Sequence, residues 1–414
     1  MKDITAKLNS FNEIKLSDIE EAQRKLKSFV LETPLKHSHY FSELFHKNVF
    51  FKMENLQHTG AFKVRGARNK LLSLSKEEQK RGVITASAGN HAQGVAYQAK
   101  LLGIHAMIIM PETSPMGKVL ATKSYGAEVI LKGRSYDDAY EEAKRIQEEK
   151  DLVFVHAYED PFIIAGQGTI GLEVLKENPD IDTMVIAIGG GGLISVISVA
   201  LKSLKPGIKI IGVQADGAAT MAESLKKGKP VHLSEIKTMA EGIAVKQTSS
   251  MTFRYIQKYV DEVVTVSDEE IAAAILKLLE RTKTLVEGAG ATTLAALLYH
   301  KMKTQGKNVA CLLSGGNLDV TTLSHVIERG LVEEGRMVKL SITLDDKPGA
   351  LSQLTKIVSE LKANIMQVLH DRMVLNLAFG KTKVSLTLET RGAEHIEEIV
   401  KSLQKTGYTV DRLL

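Results

Sequence analysis

The chain has 414 residues, of which 44% are hydrophobic and 25% charged, a balance typical of a globular protein with two or three domains. No apolar run in the sequence approaches the roughly 18 residues of a membrane span. The N-terminus lacks the apolar core of a signal peptide. Because Cys311 is the single cysteine, an internal disulfide framework is excluded. The single cysteine suits a reducing compartment and predicts a cytoplasmic protein, and the lack of a long apolar run predicts no membrane partner. The net charge of +5 is mild and the basic residues alternate with acids, so no nucleic acid partner is predicted.

Seven short apolar runs, each followed by a helical pattern, predict the strands of the first part of the chain. They are residues 82–85, 107–110, 128–131, 152–155, 184–188, 209–213 and 309–313. Because these runs are apolar throughout rather than alternating, they predict strands covered on both faces in open, mainly parallel α/β domains. Ligands bind beyond the carboxyl ends of such strands, so the loops after them are the first candidates for a site.

One lysine stands in an unusual local sequence, HTGAFKVRGA at residues 58–67, between an aromatic residue and small residues. A lysine partly withdrawn from water has a lowered pKa and can attack carbonyl carbons. Lys63 is therefore a candidate nucleophile. A solvated lysine that begins a basic helix is the alternative at this point.

The stretch AIGGGGLISVIS places four glycines between a buried strand and a helix, namely Gly189, Gly190, Gly191 and Gly192. Backbone amides can converge there at the positive end of the helix, which predicts a phosphate site rather than only a tight turn. The Lys-Ser/Thr of a nucleotide-hydrolysing loop is missing. A second match, G-x-G-x-x-G at 166–171, follows a helix start at Asp160 and Pro161 instead of a strand, and predicts a closely packed helix.

Two further loops follow predicted strands. In TASAGNHAQG (85–94), amides and side chains could bind a carboxylate, and the candidate residues are Ser87, Ala88, Gly89, Asn90 and His91. In CLLSGGN (311–317), the hydroxyl of Ser314 lies at a strand end beside two glycines. A phosphate cradle, a carboxylate cradle, an activated amine and a hydroxyl together suit pyridoxal phosphate chemistry on an amino acid.

The motifs ENLQHTGAFKVRGA, SAGNHAQG, GGGGL, EGAGA and SGGN occur in this order before residue 330. This part of the chain resembles the threonine dehydratases (threonine ammonia-lyases), which are fold-type II pyridoxal phosphate enzymes. The resemblance implies that Lys63 forms the imine with the cofactor and abstracts the Cα proton. It implies these further cofactor contacts: Phe62 beside the ring, Asn90 at the phenolic oxygen, Gly189 to Gly192 and Leu193 at the phosphate, and Ser314 at the pyridine nitrogen.

The activity that the resemblance implies is conversion of L-threonine to 2-oxobutanoate and ammonia, with L-serine as a secondary substrate. A neutral Ser314 leaves the ring a weaker electron sink than an aspartate would, which suits elimination better than transamination. The alternatives are a serine dehydratase or racemase of the same fold, and a regulatory protein that binds amino acids without catalysis.

Some positions depart from the patterns of related enzymes. Racemising relatives carry a second serine where this chain has Ala88, so racemisation should be poor. Their divalent cation has no evident counterpart here, because Asp216 stands among Gln214, Ala218 and Thr220, and no metal is predicted. Ala61 carries no firm inference. Glu287 could lie near the cofactor or be a structural acid.

The last part of the chain changes rhythm after residue 330. Stretches in which apolar and polar residues alternate, together with two helical patterns, predict the order βαββαβ of a ferredoxin-like domain. DDKPGALSQL at 345–354 resembles the first loop and helix of an ACT domain, which implies an amino acid effector, with isoleucine the first guess, or a dimerisation module without a ligand. The candidate effector residues are Pro348, Gly349, Ala350, Leu351, Asn364 and Ile365.

The predicted organisation is a catalytic part at 1–330 with a smaller subdomain at about 75–155, a linker at 331–336 and an ACT domain at 337–414. Paired ACT domains imply a homodimer or homotetramer.

Overall fold

The computed structural model describes residues 13–303, 306–374 and 377–413. The chain divides into two compact units, Met1–Val320 and Thr321–Leu414. The boundary expected at residue 330 stays a prediction, and residues 331–333, expected to begin a linker, end a helix, Val320–Glu333. Across the described ranges, every helix is too short or too polar to cross a membrane.

The first unit alternates strands and helices. Its strands are β1 (Leu35–His37), β2 (Asn48–Lys52), β3 (Val83–Ala86), β4 (Ala106–Met110), β5 (Glu128–Leu131), β6 (Val153–Phe154), β7 (Thr183–Ala187), β8 (Lys209–Ala215), β9 (Glu262–Val266) and β10 (Asn308–Leu312). Its helices are α1 (Leu16–Leu26), α2 (His39–Phe45), α3 (Lys63–Leu72), α4 (Lys76–Arg81), α5 (Asn90–Leu102), α6 (Met116–Ser124), α7 (Tyr136–Lys150), α8 (Pro161–Glu177), α9 (Gly192–Leu204), α10 (Thr220–Lys227), α11 (Ser250–Tyr259), α12 (Asp268–Lys277) and α13 (Gly288–Leu298).

The strands form two sheets, a six-stranded one in the order β1-β2-β10-β7-β8-β9 and a four-stranded one in the order β5-β4-β3-β6. Neighbouring strands run parallel in both sheets, except that β1 is antiparallel to β2. The prediction of open, mainly parallel α/β sheets is confirmed. Each of the seven apolar runs overlaps with a strand, and β4 and β7 are buried at every residue. The four-stranded sheet lies within the predicted range 75–155, whose limits stay a prediction.

Arg65, in α3, is the centre of a buried ion network. Its guanidinium donates to both carboxylate oxygens of Glu54 at 2.9 and 2.8 Å, and to both of Glu173 in α8 at 2.5 and 2.9 Å. Lys52, at the end of β2, lies 2.7 Å from Glu173. Burial alone would raise the pKa of Glu54, but the Arg65 guanidinium more than offsets this and holds it below the usual value. The network joins β2, α3 and α8 into one block.

Helices α3 and α8 approach closely at two glycines. A Cβ on Gly66 would lie 2.4 Å from the carbonyl oxygen of Ile163, and a Cβ on Gly166 would lie 2.6 Å from that of Arg65. Gly166 belongs to the G-x-G-x-x-G match, which lies inside α8. The side chain of Asp160 caps this helix by accepting bonds from two backbone amides. The prediction of a closely packed helix at this motif is confirmed.

The second unit is built on an antiparallel sheet. Its elements are α14 (Val320–Glu333), β11 (Met337–Asp345), α15 (Ala350–Glu360), β12 (Asn364–Asp371), β13 (Lys381–Glu389), α16 (Ala393–Lys405) and β14 (Thr409–Arg412). The strand order is β12-β13-β11-β14, with antiparallel neighbours throughout. From β11 onward this is the predicted βαββαβ arrangement, which is confirmed.

Replacing Arg65 by Gln should destabilise the first unit by about 3–5 kcal/mol, because Glu54 and Glu173 would remain buried without their cation. Urea denaturation followed by circular dichroism measures the loss. The matched control is Lys176→Gln, which removes an exposed ion pair between α8 and Glu32 and should move the midpoint little. Equal shifts for the two variants would contradict the role given to the buried network.

Candidate active site

The loops after β2, β10 and β7 follow adjacent parallel strands, so they meet at one edge of the six-stranded sheet. Two of them pair directly. Ala61 forms a β-bridge with Gly315, and the Phe62 amide donates to the carbonyl oxygen of Ser314 at 3.1 Å. Ser314 is buried, with 3% of its surface exposed. The structure therefore brings Lys63 and Ser314, two candidates from distant parts of the sequence, to one place.

Lys63 is the first residue of α3, and its side chain is half-buried. Its Nζ donates to the carbonyl oxygen of Ala157 at 3.1 Å and lies 5.1 Å from the centre of the Phe62 ring. Loss of water around the amine lowers the pKa of Lys63 to about 8, although the nearby carboxylate of Glu287 opposes the shift. Near neutral pH, more of this amine is therefore unprotonated than in an ordinary lysine, as a nucleophile requires.

The four-glycine turn joins β7 to α9, and none of its residues has room for a side chain. A Cβ would lie 2.9 Å from Ile243 at Gly189, 2.6 Å from the Tyr158 ring at Gly190, 2.9 Å from Thr252 at Gly191 and 2.9 Å from Ile164 at Gly192. Gly191 has a φ of 88°, which favours glycine. Because α9 begins at Gly192, its first amides and that of Leu193 lack partners within the helix. Bare backbone at a helix N-terminus fits a phosphate group.

The segment 156–159 lies between the lysine amine and the glycine turn. The carbonyl oxygen of Ala157 accepts the hydrogen bond from Lys63 Nζ, and the ring of the next residue, Tyr158, packs against Gly190. The amine and the phosphate cradle are thus separated by a single turn of backbone. Neither Ala157 nor Tyr158 was among the candidates, and no motif in the sequence marks them.

A chain of side-chain amides crosses the site. Asn317 Nδ2 donates to the carbonyl oxygen of Thr59 at 2.6 Å and to Asn90 Oδ1 at 2.8 Å, and Asn90 Nδ2 donates to Glu287 Oε1 at 2.7 Å. Because Asn90 is held at both ends, its amide plane is fixed and one N–H is left to donate to a ligand. Asn317 was not among the candidates, although it closes the SGGN motif.

Glu287, whose role the sequence left open, lies in the site. A Cβ on Gly315 would lie 2.6 Å from Glu287 Oε1, and one on Gly242 would lie 3.2 Å away. Burial raises the pKa of Glu287 to about 7, against the opposing hydrogen bond from Asn90. This carboxyl group therefore exchanges its proton near neutral pH.

The candidate carboxylate loop, residues 87–91, follows β3 and opens α5. Gly89 N donates to Ser87 Oγ at 3.2 Å, which closes the loop. In α5 a Cβ on Gly94 would lie 3.1 Å from the carbonyl carbon of Lys63, so the first turns of α5 lie against the start of α3. The loop thus lies near the lysine. Ala88 is half-buried and offers no hydroxyl.

His91 is engaged inside the fold. Its Nε2 lies 3.1 Å from the carbonyl oxygen of Val155, and burial lowers the pKa of His91 to about 3, so the ring is neutral. What His91 offers to a carboxylate is therefore its backbone amide at the start of α5.

The region considered for a cation is occupied by hydrogen bonds within the chain. Gln214 Nε2 donates to the carbonyl oxygen of Ala218 at 3.2 Å, and Gln214 Oε1 accepts from the Ala222 amide at 2.9 Å. Thr220 Oγ1 donates to a backbone carbonyl at 2.5 Å. Within the described ranges, no three His, Cys, Asp or Glu side chains are grouped to hold a metal ion.

The candidate effector residues divide into two groups in the second unit. Residues 348–351 follow β11 and open α15 at Gly349, whose φ is 89°. Residues 364 and 365 begin β12. Asp345 pairs with Lys381 at one end of β13, whereas Asn364 pairs with Glu389 at the other, about 26 Å away along the strand. Within one chain the two groups do not form a single site.

Comparisons with known proteins agree with this geometry. The family model described as "Pyridoxal-phosphate dependent enzyme" matches residues 26–315, and that described as "ACT domain" matches residues 333–411. An L-threonine ammonia-lyase of Geobacter sulfurreducens is 53% identical over 395 residues, which cover 95% of this chain and 98% of that protein. One of Thermotoga maritima is 50% identical over 397 residues, which cover 96% and 99%. The structure of maize serine racemase, at 36% identity and a TM-score of 0.73, covers 78% of this chain and 99% of that chain.

The donor set in the site fits pyridoxal phosphate. A lysine of lowered pKa can bind an aldehyde, a turn of four bare glycines can hold a phosphate, and a fixed asparagine amide can donate to a ring oxygen. The family match covers these residues and extends over most of the chain. This chain belongs to the family of pyridoxal-phosphate dependent enzymes and carries an ACT domain at its C-terminal end.

Proposed function

We propose that this chain converts L-threonine to 2-oxobutanoate and ammonia. One observation carries the proposal: the Lys63 amine donates to Ala157 at 3.1 Å, one residue from the ring that packs on the four-glycine turn. A reactive amine thus lies beside a phosphate cradle. The two L-threonine ammonia-lyases, which align over nearly the whole chain, support threonine as the substrate.

Pyridoxal phosphate, when bound, supplies an aldehyde carbon and an electron-withdrawing ring. Each part of it has a counterpart among the residues of the site. The glycine turn at 189–192 and the amide of Leu193 would hold the phosphate, Lys63 would bind the aldehyde, Phe62 would lie beside the ring, Asn90 would donate to the ring oxygen and Ser314 would face the ring nitrogen.

Lys63 carries the proton chemistry in this proposal. Its amine, with a pKa lowered to about 8, accepts the proton from Cα of threonine while the loop at 87–91, through the amides of Asn90 and His91 at the start of α5, binds the substrate carboxylate. The hydroxyl of threonine takes up one proton and leaves as water, so the proton that Lys63 removes from Cα and the proton added to the hydroxyl balance. The released enamine takes up one water and loses ammonia, so the overall reaction neither gains nor loses water. L-Serine would follow the same path to pyruvate.

Two alternatives use the same fold differently. The similarity to maize serine racemase supports a serine dehydratase or racemase as one alternative. Racemisation, however, needs a group that returns a proton to Cα from the opposite face, and Ala88 offers no hydroxyl for this. A regulatory protein without catalysis would not need a lysine with lowered pKa beside a phosphate cradle. Both alternatives are therefore weaker than threonine dehydration.

We also propose that the second unit binds an amino acid effector. The turn at 348–351 supports this, because the amides of Leu351 and Ser352 in the first turn of α15 have no acceptor within the helix and can bind a carboxylate. Since the other candidates, at 364–365, lie at the far end of β13, a complete site would combine residues of two copies in a homodimer or homotetramer.

Steady-state kinetics test the proposed reaction. We expect turnover of L-threonine to 2-oxobutanoate with a higher kcat/KM than for L-serine, and negligible racemisation of L-serine, because Ala88 lacks a hydroxyl. The variant Lys63→Ala should lose nearly all turnover because it removes both the aldehyde-binding amine and the base. Faster turnover of serine, or an active Lys63→Ala variant, would contradict the assignment.

Replacing Glu287 by Gln should lower the pH at which Lys63 becomes reactive. As the pH rises, Glu287 loses its proton near its pKa of about 7, and the resulting carboxylate stabilises the ammonium form of Lys63. Without that carboxylate, the pKa of Lys63 should fall below about 8. The rate at which cofactor-free protein captures pyridoxal phosphate, followed against pH by visible absorbance, gives the midpoint.

The control for this experiment is Glu223→Gln, which removes a partly exposed acid of α10 and should leave the midpoint unchanged. A midpoint that stays the same or rises in Glu287→Gln would mean that the carboxylate does not act on the amine.

Titration of the initial rate with isoleucine, valine and AMP tests the effector proposal. We expect isoleucine to lower the rate of the intact chain. Substitution of Gly349 by Val should abolish this response, because a β-branched residue resists a positive φ, while leaving the rate without effector near that of the parent. A response to AMP alone would overturn the proposal of an amino acid site.

A further inference from the structure

The turn at residues 156–159 separates the two parts of the site that must act together. Its second residue, Ala157, accepts the hydrogen bond from Lys63 Nζ at 3.1 Å. Its third residue, Tyr158, lies against two glycines of the phosphate cradle: a Cβ on Gly190 would meet its ring at 2.6 Å, and one on Gly192 would meet its Cβ at 3.1 Å. The shape of this turn therefore sets the spacing between the amine and the cradle.

His156 holds the turn through its side chain. Its Nδ1 accepts hydrogen bonds from the backbone amides of Tyr158 at 3.3 Å and Glu159 at 3.0 Å. An imidazole nitrogen accepts only when it carries no proton, so these bonds require the tautomer with its proton on Nε2. The far end of the turn is fixed separately, because Ser249 Oγ donates to Glu159 Oε1 at 2.6 Å.

The surroundings of His156 keep the ring in place. Aromatic rings enclose it, with centroids at 4.9 Å for Tyr158, 6.3 Å for Phe154 and 6.4 Å for Tyr140. Burial lowers the pKa of His156, which favours the neutral ring that can accept at Nδ1. Among the charged groups that face it, Glu159 and Asp160 act in the opposite direction, whereas Lys63 and Lys144 add to the effect of burial.

We propose that His156 is a positioning residue: by accepting two backbone amides at Nδ1, it fixes the turn that places the Lys63 amine at its working distance from the four-glycine turn. The inference rests on the proposed use of pyridoxal phosphate. It differs from a plain packing role, in which His156 would only fill space among its aromatic neighbours. For the positioning role, a replacement residue must supply an acceptor at the position of Nδ1. For the packing role, it must supply an aromatic ring of similar volume.

Three substitutions separate these roles. His156→Asn places an amide oxygen near the position of Nδ1, His156→Gln places one near Nε2 instead, and His156→Phe keeps the ring without an acceptor. The matched control is Tyr140→Phe, which removes a hydroxyl from the same aromatic cluster and nothing else. Three quantities are measured: the dissociation constant for pyridoxal phosphate, by fluorescence titration of cofactor-free protein, and both kcat and KM for L-threonine in the loaded enzyme.

We expect kcat to fall on the order of 10- to 100-fold in His156→Phe and His156→Gln, because two amides lose their acceptor and the amine shifts from its position. The dissociation constant for pyridoxal phosphate should rise in the same two variants, with KM for threonine nearly unchanged. His156→Asn and Tyr140→Phe should remain within about threefold of the parent in all three quantities, a difference too small for a lost buried hydrogen bond.

Parent-like values in His156→Phe would overturn the proposal, and so would equal impairment of His156→Asn and His156→Gln. If His156→Phe does not fold, the comparison of Asn with Gln still decides the matter. A parent chain that binds pyridoxal phosphate but does not turn over threonine would refute the proposed reaction alone, because the cofactor affinities of the three variants would still test His156.

Discussion

The pairing of the Arg65 guanidinium with two buried carboxylates is the constraint on which the site depends. Helix α3 begins at Lys63, two residues before Arg65, and the ion pair of Arg65 with Glu173 joins that helix to α8. Such a network adds little net stability over apolar packing, but any other arrangement would leave a buried charge unpaired, so it enforces one geometry. Because Ile164 of α8 also packs beneath Gly192, the same helix supports the lysine and the phosphate cradle.

Much of the fold could be predicted, because strands buried on both faces need continuous apolar runs and these are visible in the sequence. Three strands were not predicted from the sequence, and each lacks a continuous apolar run for a physical reason. β1 has only three residues, and β9 is half-buried along most of its length. β2 ends at Lys52, whose charge breaks the apolar pattern although the side chain is fully buried through its ion pairs. A charge stabilised by partners far along the chain cannot be read locally.

The residues of the candidate site were also only partly predictable from the sequence. Lys63, the four glycines and Ser314 could be proposed from the sequence because each role needs a particular residue type in a segment that follows a strand. Ala157 could not, since it acts through a backbone carbonyl that any residue supplies. His156 escaped for a related reason, because its acceptor nitrogen serves amides of its own turn and no spacing marks it. Sequence patterns thus reveal groups selected for their chemistry, and the structure adds the groups that hold them.

The central claim is that Lys63 binds the aldehyde of a phosphate-anchored cofactor. The most direct test loads the protein with pyridoxal phosphate, reduces it with borohydride and maps the modified lysine by mass spectrometry of the peptides. We expect the phosphopyridoxyl group on Lys63, with the other lysines unmodified at equimolar cofactor. Modification of a different lysine, or none at all, would contradict it.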